Sequence, residues 1–120
     1  MSDITTVIAQ ADKGLDKSLE RLFDLLAIPS ISTDLAYKPN CRRAGQWLVD
    51  ELNGIGFTAE LRDTPGHPMV VAHSIGASEG APHVLFYGHY DVQPVDPLGE
   101  WTTPPFEPGI SEIADGKKII

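Results

Sequence analysis

The chain has 120 residues, enough for one ordinary domain, and 42% of them are hydrophobic, enough to build a core. Its net charge of −8 excludes a nucleic-acid partner, because no basic stripe is present to neutralise phosphates. The single cysteine, Cys41, excludes an internal disulfide and suits a reducing compartment.

The first residues, Met-Ser-Asp-Ile-Thr-Thr, place an acid where a secretion signal carries a base, and no apolar core follows. No run approaches the length of a membrane span. The expectation is a soluble, cytoplasmic protein with no membrane partner.

Ile4, Val7, Ile8, Ala11, Leu15, Leu19, Leu22, Phe23 and Leu26 recur at three- and four-residue steps. They form one apolar stripe, which predicts a long amphipathic helix over 3–27, or two helices in line. Gly14 weakens the middle, and Asp16 is placed to cap a second segment. Pro29 ends the helix, and Ser30 to Asp34 reads as a polar connection.

Asn40 is a candidate N-cap and Gly54 a candidate C′ residue for the next helix. Between them Cys41, Ala44, Trp47, Leu48 and Leu52 keep helical period, with Ile55 following, while Arg42, Arg43, Asp50 and Glu51 face outward. Cys41 reads as a small buried hydrophobe. The paired arginines read as a solvated face, since no Gly-rich loop accompanies them.

Phe57, Ala59 and Leu61 alternate with Thr58, Glu60 and Arg62, the pattern of a half-buried strand. Thr64-Pro65-Gly66 supplies turn chemistry, and Met69 to His73 a second strand, so a hairpin is predicted. His67, His73 and His83 each lack a carboxylate at a supporting spacing and are not assigned as ligands. Ile75 to Pro82, rich in Gly, Ala and Ser, reads as a loop.

Val84 to Tyr87 is a continuous β-branched and aromatic run bounded by Pro82 and Gly88. It predicts a strand buried on both faces, in the middle of an α/β sheet. His89 and Asp91 follow at its carboxyl end, where open α/β sheets build their sites. Residues two apart in extended backbone share a face, so both side chains are expected to look into one crevice. A metal-binding histidine has its second ring nitrogen held by a carboxylate or carbonyl, and His-x-Asp offers both parts within three residues. Pro94 stiffens the exit.

Asp96-Pro97-Leu98-Gly99 is another turn. Three prolines keep Trp101 to Pro108 extended, with Trp101 and Phe106 expected to pin the segment across the rim of the site. Ile110 to Ile113, Asp115-Gly116 and Lys117 to Ile120 predict a hairpin with a type I′ turn. A natural domain rarely stops inside a buried strand, so Ile119-Ile120 suggests the front part of something longer.

These motifs resemble one family in order. They are Ala27-Ile28-Pro29-Ser30-Ile31-Ser32, Gly54-Ile55-Gly56-Phe57, Thr64-Pro65-Gly66-His67-Pro68, Tyr87-Gly88-His89-Tyr90-Asp91-Val92-Gln93-Pro94, Trp101-Thr102, Pro105-Phe106 and Asp115-Gly116-Lys117. The family is the di-zinc exopeptidases and amidohydrolases, which includes carnosinase-like dipeptidases, glutamate carboxypeptidase, succinyl-diaminopimelate desuccinylase and aminoacylases. The Val-Gln-Pro and Trp-Thr…Pro-Phe stretches are most similar to the dipeptidase branch.

The resemblance implies a three-layer α/β/α fold with a mixed sheet, residues 1–120 being an incomplete N-terminal part of a catalytic domain. It implies that His89 is a ligand to one zinc of a pair, that Asp91 is the supporting catalytic carboxylate, and that the substrate is a dipeptide or N-acyl amino acid. It also implies a homodimer through a further domain. In such sites two metals share a bridging carboxylate and activate water against an amide carbonyl. The bridging aspartate, the general-base glutamate and the other ligands have no counterpart in these residues, so the 120 residues alone are expected to be inactive. The competing reading is a non-catalytic α/β interaction module. A phosphatase would need a carboxylate where Gly88-His89 stands, and a serine hydrolase would need a Gly-x-Ser-x-Gly elbow.

Overall fold

The computed structural model describes residues 3–74 and 76–120, and divides into two compact units, Ile28–Gly99 and the residues to Ala27 with Glu100–Ile120. Ile75 and the first two residues, used above for a loop and for the leader argument, lie outside the described residues.

In the unit that includes both termini, the predicted N-terminal helix is two helices, α1 (Ile4–Lys13) and α2 (Leu15–Leu26). The break falls at Gly14, whose amide bonds back to the carbonyls of Gln10 and Ala11. Asp3 caps α1 through its carboxylate, which accepts from the Thr5 amide. The expected Asp16 cap is not made: Gly14 is the N-cap of α2 without a side-chain bond, and Asp16 sits in the first turn. There its charge favours the positive end of the helix dipole.

The C-terminal hairpin is present as β3 (Ser111–Glu112) and β4 (Lys118–Ile119), paired antiparallel. Its turn is not type I′. Ile113 donates its amide to the Lys117 carbonyl, leaving three loop residues, and Gly116 alone among them has positive φ, at 80°. A type I turn followed by a left-handed glycine produces this arrangement, whereas type I′ needs two positive φ values.

The other unit is built on α3 (Lys38–Gly54) and the hairpin β1 (Phe57–Arg62) and β2 (Met69–Ser74). Helix α3 begins two residues before Asn40, after a 3-10 turn over Leu35–Tyr37 that Asp34 caps. Pro39 in the first turn costs no hydrogen bond there. The helix runs through Gly54 to a C-cap at Ile55, and the left-handed residue beyond is Gly56, at φ 96°. Its buried face is Cys41, Ala44, Gly45 and Val49, a run of small residues that lets the hairpin approach closely.

The β1–β2 register pairs Phe57 with Ser74 and Arg62 with Met69. Phe57, Ala59 and Leu61 alternate inward as their pattern requires. The outer edge of β1 is held by Asn53, whose side-chain oxygen accepts from the Ala59 amide at 2.9 Å and whose amide donates to the Ala59 carbonyl at 3.2 Å. This mimics a neighbouring strand.

The central buried strand is corrected by the structure. Val84 to Tyr87 belongs to no sheet among the described residues, and its residues are 87–92% exposed. Extended conformation is locally favoured there, but a strand is secured by ladder partners and facing side chains, and among the described residues β1 and β2 pair only with each other. Pairing in this part of the chain is instead one parallel bridge, Ile31 to Val92.

Candidate metal-binding site

The site is assembled where Ser30–Ser32 runs beside Tyr90–Val92. The Val92 amide donates to the Ser30 carbonyl at 3.0 Å, and the Ser30 hydroxyl donates to the Tyr90 carbonyl at 2.8 Å. Ile28 and Ile31 are buried, with Ser30 among them. A buried hydroxyl needs a partner, and the Tyr90 carbonyl supplies it. These bonds fix the backbone that carries His89 and Asp91.

His89 and Asp91 meet, as their spacing predicts. His89 Nδ1 lies 3.0 Å from Asp91 Oδ1 and 3.1 Å from the Asp91 carbonyl oxygen. Both partners accept only, so Nδ1 carries the proton, and in the neutral ring Nε2 keeps its lone pair free. The imidazole side chain is 76% exposed and the carboxylate 38%.

The second oxygen of Asp91, Oδ2, accepts a 2.6 Å bond from the Ser32 hydroxyl. That bond holds the Asp91 carboxyl below the usual aspartate value; burial opposes it, and the His89 contact adds to the lowering. Asp91 is therefore ionised at neutral pH and able to orient the ring. Burial, with the Asp91 charge beside it, pushes the Cys41 thiol up, and burial likewise raises the Tyr90 phenol.

The other histidines divide. His67 Nε2 donates to the Ser32 carbonyl at 2.8 Å, and its Nδ1 is buried without a partner. Its turn is set by Thr64, whose hydroxyl donates to the His67 carbonyl at 2.6 Å. His73 and His83 are exposed. The Tyr90 hydroxyl donates to the Pro68 carbonyl, which ties the segment His89–Asp91 to the hairpin turn.

A hollow of about 640 Å³ opens among Leu35, Lys38, Arg42, Asp63 and Pro68, and neither His89 nor Asp91 lines it. Among the described residues no group of three or more His, Cys, Asp or Glu side chains is gathered as a metal cage. What is present fits one ligand: an exposed imidazole with a free Nε2 and a carboxylate on Nδ1, which fixes the ring's tautomer and orientation as such a partner does for a metal-bound histidine.

Ser30, Ser32 and Tyr90 have no role assigned from sequence, and His67, weighed there as a ligand, holds Ser32 instead. The available signal was Ser-Ile-Ser, whose two hydroxyls fall two residues apart; both are spent on the segment Tyr90-Asp91.

A carboxylate-backed histidine with an open Nε2 stands on this scaffold, and the chain is similar to known metallodipeptidases and desuccinylases. The chain is 38% identical over 102 residues to the Cys-Gly metallodipeptidase of Candida albicans, covering 75% of this chain and 21% of that protein. It is 32% identical over 104 residues to the corresponding enzyme of Schizosaccharomyces pombe, covering 79% of this chain and 22% of that protein. A succinyl-diaminopimelate desuccinylase of Herminiimonas arsenicoxydans is 31% identical over 94 residues, covering 78% of this chain and 23% of its own length.

The solved structure of the dipeptidase Dug1p from Saccharomyces cerevisiae superposes with a TM-score of 0.79 at 25% identity, over 91% of this chain and 25% of that one. No family model matches the chain. These matches make the chain a relative of the metallopeptidase and amidohydrolase family, on its dipeptidase side, with an α/β fold. The chain spans between a fifth and about a quarter of the length of the curated relatives it matches. No helix among the described residues is long and apolar enough to cross a membrane.

Proposed function

We propose that these residues are the N-terminal part of the catalytic domain of a zinc-dependent exopeptidase, which hydrolyses the amide bond of a dipeptide or an N-acyl amino acid in the cytoplasm. The observation that supports this is the His89–Asp91 pair: Nδ1–H is fixed on a carboxylate and Nε2 is left open to solvent. The similarity to Cys-Gly metallodipeptidases and to desuccinylases supports the substrate class.

In this reading His89 Nε2 is a ligand to one ion of a zinc pair, and Asp91 orients the ring and raises its basicity. Bound zinc supplies Lewis acidity toward the amide carbonyl and lowers the pKa of bound water. Ser30, through the Tyr90 carbonyl, and Val92, through the Ser30 carbonyl, hold the segment that presents the ring. A catalytic zinc takes three protein ligands, so the remaining ligands, the general base and a dimerising domain come from further polypeptide.

The test compares wild type with His89→Ala in the polypeptide that carries those further ligands. Zinc content measured after dialysis and the rate of Cys-Gly hydrolysis should both fall, the rate by several orders of magnitude. Zinc content and hydrolysis that match wild type would remove His89 from the metal site.

A further inference from the structure

Asp91 is gripped at both oxygens: Oδ1 accepts from His89 Nδ1 at 3.0 Å and Oδ2 accepts from the Ser32 hydroxyl at 2.6 Å. A carboxylate held at one oxygen can swing about its terminal torsion, which is broad and soft. One held at both cannot, without breaking a charge-assisted bond. Ser32 is itself fixed, because its carbonyl accepts from His67 Nε2 at 2.8 Å and the neighbouring Ile31 is bridged to Val92. A continuous line of contacts therefore runs from His67, through Ser32 and Asp91, to the exposed imidazole of His89.

We infer that Ser32 is a positioning residue for His89, acting through Asp91 to keep the imidazole in the tautomer that leaves Nε2 unprotonated. This rests on the reading of His89 as a metal ligand, although the tautomer itself does not require metal. The physical reason is competition between tautomers. A free neutral imidazole prefers its proton on Nε2, the nitrogen that must be bare to bind a cation. The Asp91 carboxylate reverses that preference only while it stays in line with Nδ1–H, and the Ser32 hydroxyl keeps it there.

The experiment reads the ring directly. Two-bond proton–nitrogen spectra of the metal-free chain, taken at a pH where the ring is neutral, report which nitrogen of His89 carries the proton. Wild type and Ser32→Thr should show Nδ1–H almost entirely. Ser32→Ala and Ser32→Val should show Nε2–H as the majority form, and in the polypeptide that carries the further ligands the same substitutions should weaken Zn²⁺ binding by roughly tenfold. The Thr and Val variants share one shape and differ by a hydroxyl for a methyl, so their difference stands even if Ala loosens the fold. Unchanged His89 signals in both Ala and Val, or Thr behaving like Val, would overturn the inference. Failure of that longer polypeptide, with Ser32 intact, to bind Zn²⁺ while His89 stays Nδ1–H would sink the metal reading and leave the Ser32 comparison to be decided by the tautomers.

Discussion

Gly45 of α3 stands against Tyr90: a Cβ built on Gly45 would lie 3.3 Å from the Tyr90 hydroxyl oxygen and 2.8 Å from Leu61 Cδ1. Tyr90 separates His89 from Asp91, so one glycine on the buried face of a helix sets how closely the segment bearing them can approach it. Leu61 can turn aside, but the Tyr90 hydroxyl is held by the Pro68 carbonyl. Gly45→Val should destabilise the fold by about 1–3 kcal/mol through overpacking. Urea titration followed by far-ultraviolet circular dichroism reads this as a lower midpoint. A midpoint equal to or above wild type would mean that the helix and Tyr90 have room to separate.

Cys41 is fully buried, and its thiol is raised by that burial with the Asp91 charge adding to it. Thiolate is the reactive form. Reaction with a thiol reagent should therefore await local opening, on the order of a hundredfold slower in the folded chain than in denaturant. Comparable rates in the two conditions would show that α3 does not cover the sulfur.

The Asp91 carboxyl is lowered from its ordinary 3.8, first by the Ser32 hydroxyl, against burial, and then by His89. A carboxyl lower in the folded than in the unfolded state binds fewer protons when folded. Its contribution is then complete above the ordinary aspartate range and is lost as pH falls through the native value. In a His89→Ala background, which keeps the Ser32 bond as the side-chain partner, the urea midpoint of Asp91 should exceed that of Asp91→Asn at neutral pH. The gap should close only below 3.8. A gap already closed at pH 6 would mean that the carboxyl is not held low.

Val84 to Tyr87 is apolar, uncharged and exposed, with its backbone outside any described sheet. Such a segment is a template for strand pairing between chains. Phe86→Glu should raise the concentration at which the chain aggregates while moving the urea midpoint by no more than about 0.5 kcal/mol equivalent. A large loss of stability would show that the phenyl ring is covered in solution. Light scattering and the urea curve together decide it.

Much of the local structure was legible in the chain. The three-to-four-residue spacing from Ile4 to Leu26, the Cys41-Ala44 face of α3 and the two-residue alternation of Phe57, Ala59 and Leu61 each settle their element, because side-chain direction follows backbone period. Boundaries were less legible. Tyr37 rather than Asn40 caps α3, and Gly56 rather than Gly54 takes the left-handed position, because several adjacent residues satisfy the same terminal chemistry.

By itself the sequence determined that His89 and Asp91 share a face, since a separation of two in extended backbone leaves them no other choice. The tertiary structure alone decided what surrounds them: Ser32, 59 residues away from Asp91 in the chain, closes the second carboxylate oxygen, and His67, 35 residues from Ser32, braces it. It decided, too, that Val84 to Tyr87 has no ladder among the described residues. An apolar run states what it would bury against, but a strand is buried only where other chain segments arrive to pair with it.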